Sequence, residues 1–194
     1  SILGPYLKEL FDKVFVEGLH DPRKRPGANQ WETALVKTVD LLQPCENKSC
    51  AQKWFVFDNS TKPICPFCNT HDPHPLPVLT FYDSRGSEAK YIPANHRLMV
   101  YNQQYLYPWH TNRLIIPNEK LTKEQRKPVG YFMLHQGKWV LVNQNLPTLQ
   151  DADTKEKVPI NTHIELTNNR RILFEEGGRL ALVQISNADT HSQE

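Results

Sequence analysis

The placement of four cysteines constrains this chain more than any other feature. Cys45 and Cys50 are spaced by four residues, Cys65 and Cys68 by two, with fourteen residues between the pairs. No other cysteine is present. Two closely spaced pairs on two turns can deliver four thiolates to one tetrahedral ion, a set that suits zinc. The intervening Trp54-Phe55-Val56-Phe57-Asp58-Asn59-Ser60-Thr61-Lys62-Pro63-Ile64 reads as an apolar strand, a polar turn and a short return. A zinc ribbon carries its second pair back to the first in that way. Two disulfides, in any of three connectivities, are the competing reading, but nothing else in the sequence points to secretion. With four thiolates the ion has no open position, so the expected role is structural. Such a site supplies roughly 10–16 kcal/mol of apparent binding free energy, which matters for a module too short to bury a core of its own.

The remaining composition is that of an ordinary globular chain. With 194 residues there is room for one large or two small domains beside the metal module. No stretch approaches twenty apolar residues, so no membrane span is expected. The start, Ser1-Ile2-Leu3-Gly4-Pro5, lacks the basic and apolar regions of a signal peptide and reads as a fragment or trimmed start. A cytoplasmic location is the expectation. The net charge of +2 is spread out: residues 1–44 carry six basic and six acidic side chains, 45–77 three and three, 78–194 fourteen and twelve. A nucleic-acid binder normally shows a basic stripe, and only Arg23-Lys24-Arg25 and Arg170-Arg171 come near one.

Along the chain, residues 5–18 read as a helix with Leu7, Leu10, Phe11, Val14 and Phe15 at helical spacing, Pro5 in the first turn and Gly18 at the end. A second helix is expected from about Ala28 to Leu42, with Trp31, Leu35, Val39 and Leu42 on one stripe. Two short helices bury little alone, so this segment, residues 1–44, is expected to pack on something else.

The run Phe15-x2-Gly18-Leu19-x-Asp21-Pro22-x2-Arg25-Pro26-x4-Trp31-x2-Ala34-Leu35 resembles the end of a protein-kinase C-terminal lobe. The resemblance implies structural roles for Arg25 and Trp31. In that family the arginine pairs with the glutamate of an Ala-Pro-Glu motif, and this sequence has no such motif. It also lacks the Gly-rich loop, Val-Ala-Ile-Lys, His-Arg-Asp and Asp-Phe-Gly of a kinase active site. A kinase tail running into Cys-x4-Cys and Cys-Pro-Phe-Cys is similar to bacterial serine/threonine kinases of tellurite-resistance and stress gene clusters. That resemblance implies a von Willebrand A-domain protein as partner. It covers residues from about 5 to 68 and could extend over the whole chain, although nothing after Cys68 matches motif by motif.

Residues 45–68 are the expected ribbon and 69–77, with Pro73, Pro75 and Pro77, a stiff linker. His71 and His74 follow the cysteines but are read as solvated, since the ligand set is already complete. Residues 78–187 read as an all-β, sandwich-like domain and 188–194 as a frayed tail. Strands are expected at Val78–Tyr82, Ala89–Ile92, His96–Tyr101, Gly130–His135, Lys138–Val142, His163–Leu166, Ile172–Phe174 and Leu180–Ile185, with Arg113–Ile116 as a short apolar run. Gln136-Gly137 is the sharpest hairpin signal. The fold class is therefore α+β: a helical hairpin, a metal ribbon and a β domain. From Gly130 to Ile185 the strand rhythm also resembles a forkhead-associated scaffold. That family's Gly-Arg and Ser-x-x-His phosphothreonine readers are missing from the matching places.

No nucleophile–base pair or spaced carboxylate pair stands out, and the fragment is expected to be non-catalytic. His110 reads as a buried, hydrogen-bonded histidine. The candidate partner-binding residues are Tyr101, Tyr105, Tyr107 and Trp109, which share one parity if Tyr101–His110 is a strand, with Leu106 facing the other way. Asp151 and Asp153 are read as solvated loop acids, with a weakly held cation as the alternative, and they, or Glu175 and Glu176 in a hairpin turn, could offer an acidic side chain to the metal-dependent site of the partner that the resemblance implies. A nucleic-acid-binding zinc protein and an enzyme with an unrecognised β-domain site are the alternative functions.

Overall fold

A computed structural model of the chain describes residues 2–59, 62–85, 90–175 and 178–186. The tail at 188–194, Glu176 and the tip of the turn after Asp83 lie outside the described residues. The fold is α+β with few helices and three antiparallel sheets of two, five and four strands. The described residues fall into two compact units that meet in sequence at His74 and Pro75. No helix among them is long and apolar enough to cross a membrane.

The first unit opens with α1 (Gly4–Asp12), which runs into a π-helical turn (Lys13–Glu17) closed by Gly18 N donating to Lys13 O at 2.7 Å. Gly4 has φ +70°, and a Cβ there would lie 2.7 Å from Val56 Cγ1. Both facts demand glycine. Asp21 caps a 3-10 turn (Pro22–Lys24), and α2 (Ala28–Val39) begins where Gln30 Oε1 accepts the Gly27 N–H at 2.9 Å. The expected apolar stripe of α2 does not face the core: Ala34 and Thr38 are buried, whereas Leu35 and Val39 are 52% and 61% exposed. On α1 and its π turn only Leu10 is buried among the large apolar side chains, and Phe11, Phe15, Val16 and Leu19 stay exposed. β1 (Leu42–Pro44) then pairs with β2 (Trp54–Val56). The apolar strand between the cysteine pairs therefore pairs backwards with residues preceding Cys45. Leu41, Phe55, Phe57 and Cys65 form the floor of this unit.

In the second unit β3 (Leu76–Arg85) is the second strand of the five-stranded sheet, between the edge strand β4 (Lys90–Met99) and the last strand of the chain, β11 (Arg179–Ser186), which is central. The extended stretch expected up to Pro77 thus becomes strand at Leu76, which is buried. The two strands expected at 89–92 and 96–101 are one strand, β4. Asn95 at φ +49° and a register shift opposite Thr80 and Tyr82 absorb the irregularity. β10 (Arg171–Leu173) and β8 (Gln150–Asp151) complete this sheet. The four-stranded sheet runs β5 (Tyr105–Leu106), β6 (Gly130–His135), β7 (Lys138–Asn143), β9 (His163–Glu165). Gln136 and Gly137, at φ +50° and +77°, make the predicted turn of the β6–β7 hairpin. Phe81, Phe132, Phe174, Leu79, Leu98 and Leu141 are completely buried and form its core.

Candidate metal centre and candidate partner-binding residues

The four cysteines are brought together at one end of the β1–β2 ribbon. Cys45 N donates to Lys53 O at 2.7 Å, so Cys45 sits on the first rung beyond β1. Cys50 closes the first turn by donating its N–H to Asn47 O at 2.9 Å, while Asn47 Oδ1 accepts the Ser49 N–H. The second turn is a knuckle: Asn69 N donates to Cys65 O and Cys65 N to Thr70 O, both at 2.9 Å, with Asn69 at φ +58°. Asparagine tolerates that conformation.

All four Sγ atoms lie within 4.8 Å of one another. Cys45 and Cys68 Sγ are 3.5 Å apart, Cys50 and Cys65 Sγ 3.9 Å. Bonds of about 2.3 Å around a tetrahedral ion require sulfur–sulfur edges of about 3.8 Å, so the donors fit one metal ion. A disulfide needs about 2.05 Å, and all four cysteines are free. Thr70 Oγ1 lies 3.2 Å from Cys68 Sγ. Hydrogen bonds from the Thr70 hydroxyl and then its backbone N–H bring the Cys68 thiol down to about 6. Burial pushes the neighbouring Cys45 thiol up to about 12. His71 and His74 are exposed; His71 lies opposite Ile64 in an isolated bridge, and His74 Nδ1 is 3.3 Å from Asp72 Oδ1.

Arg25 and Trp31 both sit in the helical hairpin. Arg25 Nε donates to Gly18 O at 2.9 Å, tying the two ends of the interhelical segment together. Trp31 meets Phe11 edge-to-face, with 5.3 Å between ring centres.

The aromatic stretch departs from the strand expectation. Only Tyr105 and Leu106 are strand; residues 101–104 form a turn with Gln103 at φ +67°, and Pro108–Thr111 is a single helical turn, α3. Pro108 occupies the first helical position, where its missing N–H costs nothing. The parity argument fails accordingly: Leu106 is completely buried and Tyr105 is 51% exposed. Tyr107 and Trp109 nevertheless come together, stacked at 4.4 Å, with Tyr105 edge-on to Tyr107 at 6.2 Å. Tyr101 is half-buried in the preceding turn, outside this group of three. His110 is buried, and its Nδ1 accepts the Tyr107 N–H at 3.0 Å.

Asp151 is not a solvated loop acid. It is buried in β8, Oδ1 accepts the N–H groups of Asp153 and Thr154 at 2.9 and 3.0 Å, and Oδ2 lies 3.2 Å from Arg170 Nε. These bonds build the turn after β8, which composition alone shows only as polar. Asp153 is exposed and pairs with Arg171, whose hydrogen bond holds the carboxyl below its ordinary range. Glu175 is exposed.

Two groups had no motif to reveal them. Arg179 is buried, with Nε 2.7 Å from Asp83 Oδ1, Nη2 3.3 Å from Oδ2, and its guanidinium 5.3 Å from the Phe81 ring centre. Its Nη1 donates to the carbonyls of Trp109 and His110 at 3.3 and 3.4 Å, anchoring the aromatic turn to the five-stranded sheet. Asn143, completely buried, donates Nδ2 to Leu146 O and Val158 O at 2.7 Å and accepts the Leu146 N–H at 2.8 Å. A polar residue ending an apolar strand was the only signal for Asn143, and the strand position after a Gly pair the only one for Arg179.

Comparison of the chain with known family models, curated proteins and solved structures returned no match.

Proposed function

We infer that this chain is a non-catalytic protein-interaction region of a bacterial serine/threonine kinase, folded around one structural zinc. The observation that carries the reading is the closed four-thiol cluster. Four soft donors at tetrahedral spacing select zinc over harder ions and leave it no position for substrate. The ribbon is then a scaffold. Reduced thiols fit a cytoplasmic setting.

The kinase-tail reading draws support from the hairpin. Phe15, Val16, Leu19, Leu35 and Val39 are 52–71% exposed, an apolar face of the kind that packs on another body. Beyond its Nε bond to Gly18, Arg25 has no further partner among the described residues, leaving its terminal nitrogens for a carboxylate such as the resembled family supplies. In the β unit, which we read as sandwich-like, Tyr105, Tyr107 and Trp109 form a half-exposed ring cluster suited to anchoring a partner. A von Willebrand A-domain protein of the same stress or tellurite-resistance system is the partner the resemblance implies.

Two measurements test this. The coding sequence upstream of Ser1 should encode a protein-kinase domain; any other upstream domain removes the kinase assignment. Calorimetric titration of the zinc-loaded chain with a von Willebrand A-domain protein from the same cell should show binding that Tyr105→Ala and Trp109→Ala weaken at least tenfold. Equal affinity in folded variants refutes the aromatic surface.

A further inference from the structure

We propose that the loop joining α3 to β6, residues 112–129, docks the β unit on an anionic lipid surface without crossing it. The four-thiol cluster, the hairpin face and the Tyr107–Trp109 stack play no part in this contact, so it stands or falls apart from them.

Eighteen residues without a strand or an α-helix is long for a connection inside a compact unit, and loops of that length are commonly functional. Its apolar side chains face outward. Leu114 is 78% exposed, the largest value of any large apolar side chain among the described residues, and Ile116 is 61% exposed. Hydrogen bonds hold them there. Asn112 Oδ1 accepts the Leu114 N–H at 2.9 Å and Asn112 O the Ile115 N–H at 3.2 Å, while Asn118 Nδ2 donates to Ile116 O at 2.8 Å. Pro117 restricts the backbone between those last two residues. A tip built in advance loses little chain entropy on contact.

Positive charge gathers in the same loop. Residues 112–129 carry Arg113, Lys120, Lys123, Arg126 and Lys127 against Glu119 and Glu124. The rest of the chain has eighteen basic and nineteen acidic side chains, so the surplus of the whole molecule lies in this one segment. Lys127 takes up the Glu124 carboxylate at 2.7 Å. Arg126 Nη2 donates to the Glu119 backbone carbonyl at 2.6 Å and keeps its charge. The Arg113, Lys120 and Lys123 side chains are exposed and have no partner among the described residues. Four cations thus stand against the Glu119 carboxylate. Thr122 and Gln125 cap each other, Gln125 Oε1 accepting the Thr122 N–H at 3.0 Å and Thr122 Oγ1 the Gln125 N–H at 3.2 Å. Lys123 and Arg126 therefore ride on one fixed turn.

The side-chain types name the occupant. Protein interfaces are poor in lysine, and leucine is under-represented among the residues that anchor them. Single-stranded nucleic acid is gripped by aromatic faces, which Leu114 and Ile116 lack. Aliphatic tips flanked by lysine and arginine match a bilayer, whose acyl boundary takes the apolar groups and whose anionic headgroups take the cations. Each cation held near such a surface raises partitioning about fivefold, and each buried aliphatic side chain about tenfold or more.

The test is cosedimentation of the full zinc-loaded chain with phosphatidylcholine vesicles containing about one-third phosphatidylserine, and with phosphatidylcholine alone. The mixed vesicles should bind at least tenfold tighter, and the difference should shrink as salt rises. Leu114→Ser combined with Ile116→Ser should weaken binding at least tenfold, as should Lys120→Glu combined with Lys123→Glu. All four side chains are exposed, so neither pair of changes disturbs the core. Spin-labelled lipid in the mixed vesicles should broaden the Leu114, Ile115 and Ile116 amide signals before those of β7. No binding at millimolar lipid, equal binding to the neutral vesicles, undiminished binding by either pair of changes, or broadening confined to another surface would each overturn the proposal. Retention on duplex DNA without binding to vesicles would assign the cations to nucleic acid and overturn it too.

Discussion

Replacing Arg179 by methionine should be among the most damaging single changes in the β unit. The side chains of Arg179 and Asp83 are only 8% and 16% exposed, and two of the guanidinium nitrogens meet the two carboxylate oxygens. Arg179→Met keeps much of the volume but leaves the carboxylate in a site with little access to water. Removing one partner of a buried pair costs about 3–5 kcal/mol. Residual exposure of Asp83 places the expectation at about 3 kcal/mol, and loss of the contact with Phe81 adds about 1 kcal/mol. The bonds to the Trp109 and His110 carbonyls, at 3.3 and 3.4 Å, are long and add little. A total of about 4 kcal/mol is a large part of the 5–15 kcal/mol that stabilises a typical domain. Urea unfolding followed by β3 and β11 amide signals should show the midpoint falling by roughly 2–3 M, taking a denaturant slope of about 1.5 kcal/mol/M. Asp83→Asn in the same background should recover about 2 kcal/mol, because it removes the stranded charge. A single-variant loss below about 1 kcal/mol, or no recovery in the double variant, would refute the assignment of a buried, mutually dependent pair.

Protein exchanged into metal-free buffer should retain one zinc per chain by elemental analysis. Cys65→Ser should abolish it and unfold the first unit while the amide signals of β6 and β7 persist. Asp153 should titrate below 3.8 by carbon-detected NMR and return towards that value in Arg171→Ala. Its depressed folded value means the pair stabilises above the unfolded pKa and is lost as pH falls through the folded one. With both side chains about half exposed, the contribution is at most about 0.5 kcal/mol. Asn143→Leu should destabilise the β unit by about 4 kcal/mol in thermal or urea unfolding, since three buried backbone groups lose their partner.

What the sequence made legible was local. The β6–β7 hairpin follows from two apolar runs flanking Gln136-Gly137, because a two-residue turn with both φ positive needs only its own residues. The pairing of Arg171–Leu173 with Leu180–Leu182 is similarly short-range. The cysteine cluster was legible because chemistry, not packing, draws those side chains together. Residues 101–110 were not. Their alternating aromatics suggest a strand, but burial of His110 and the fixed φ of Pro108 favour a helical turn. Arg113–Ile116 failed differently: Asn112 Oδ1 accepts the Leu114 N–H and forms a turn, leaving Leu114 and Ile116 exposed despite their strand propensity. Asp151 reads as solvated because its partner Arg170 is positioned only once β8 and β10 have paired. The outward face of α2 escaped for the same reason: periodicity shows that a stripe exists but not which body covers it.

The register of β3 against β11 has a consequence for how the chain is made. Leu76, the first residue of β3, pairs with Ser186, the last of β11. β3 therefore emerges from a ribosome about a hundred residues before its neighbour β11, a delay of roughly 5–20 s at typical synthesis rates. During that interval Leu76-Pro77-Val78-Leu79-Thr80-Phe81 has one edge covered by β4 and the other bare, the kind of apolar edge that recruits other chains. The first unit, whose four clustered cysteines all lie within residues 45–68, has no such wait. Any truncation that removes β11 leaves β3 in its half-made state permanently.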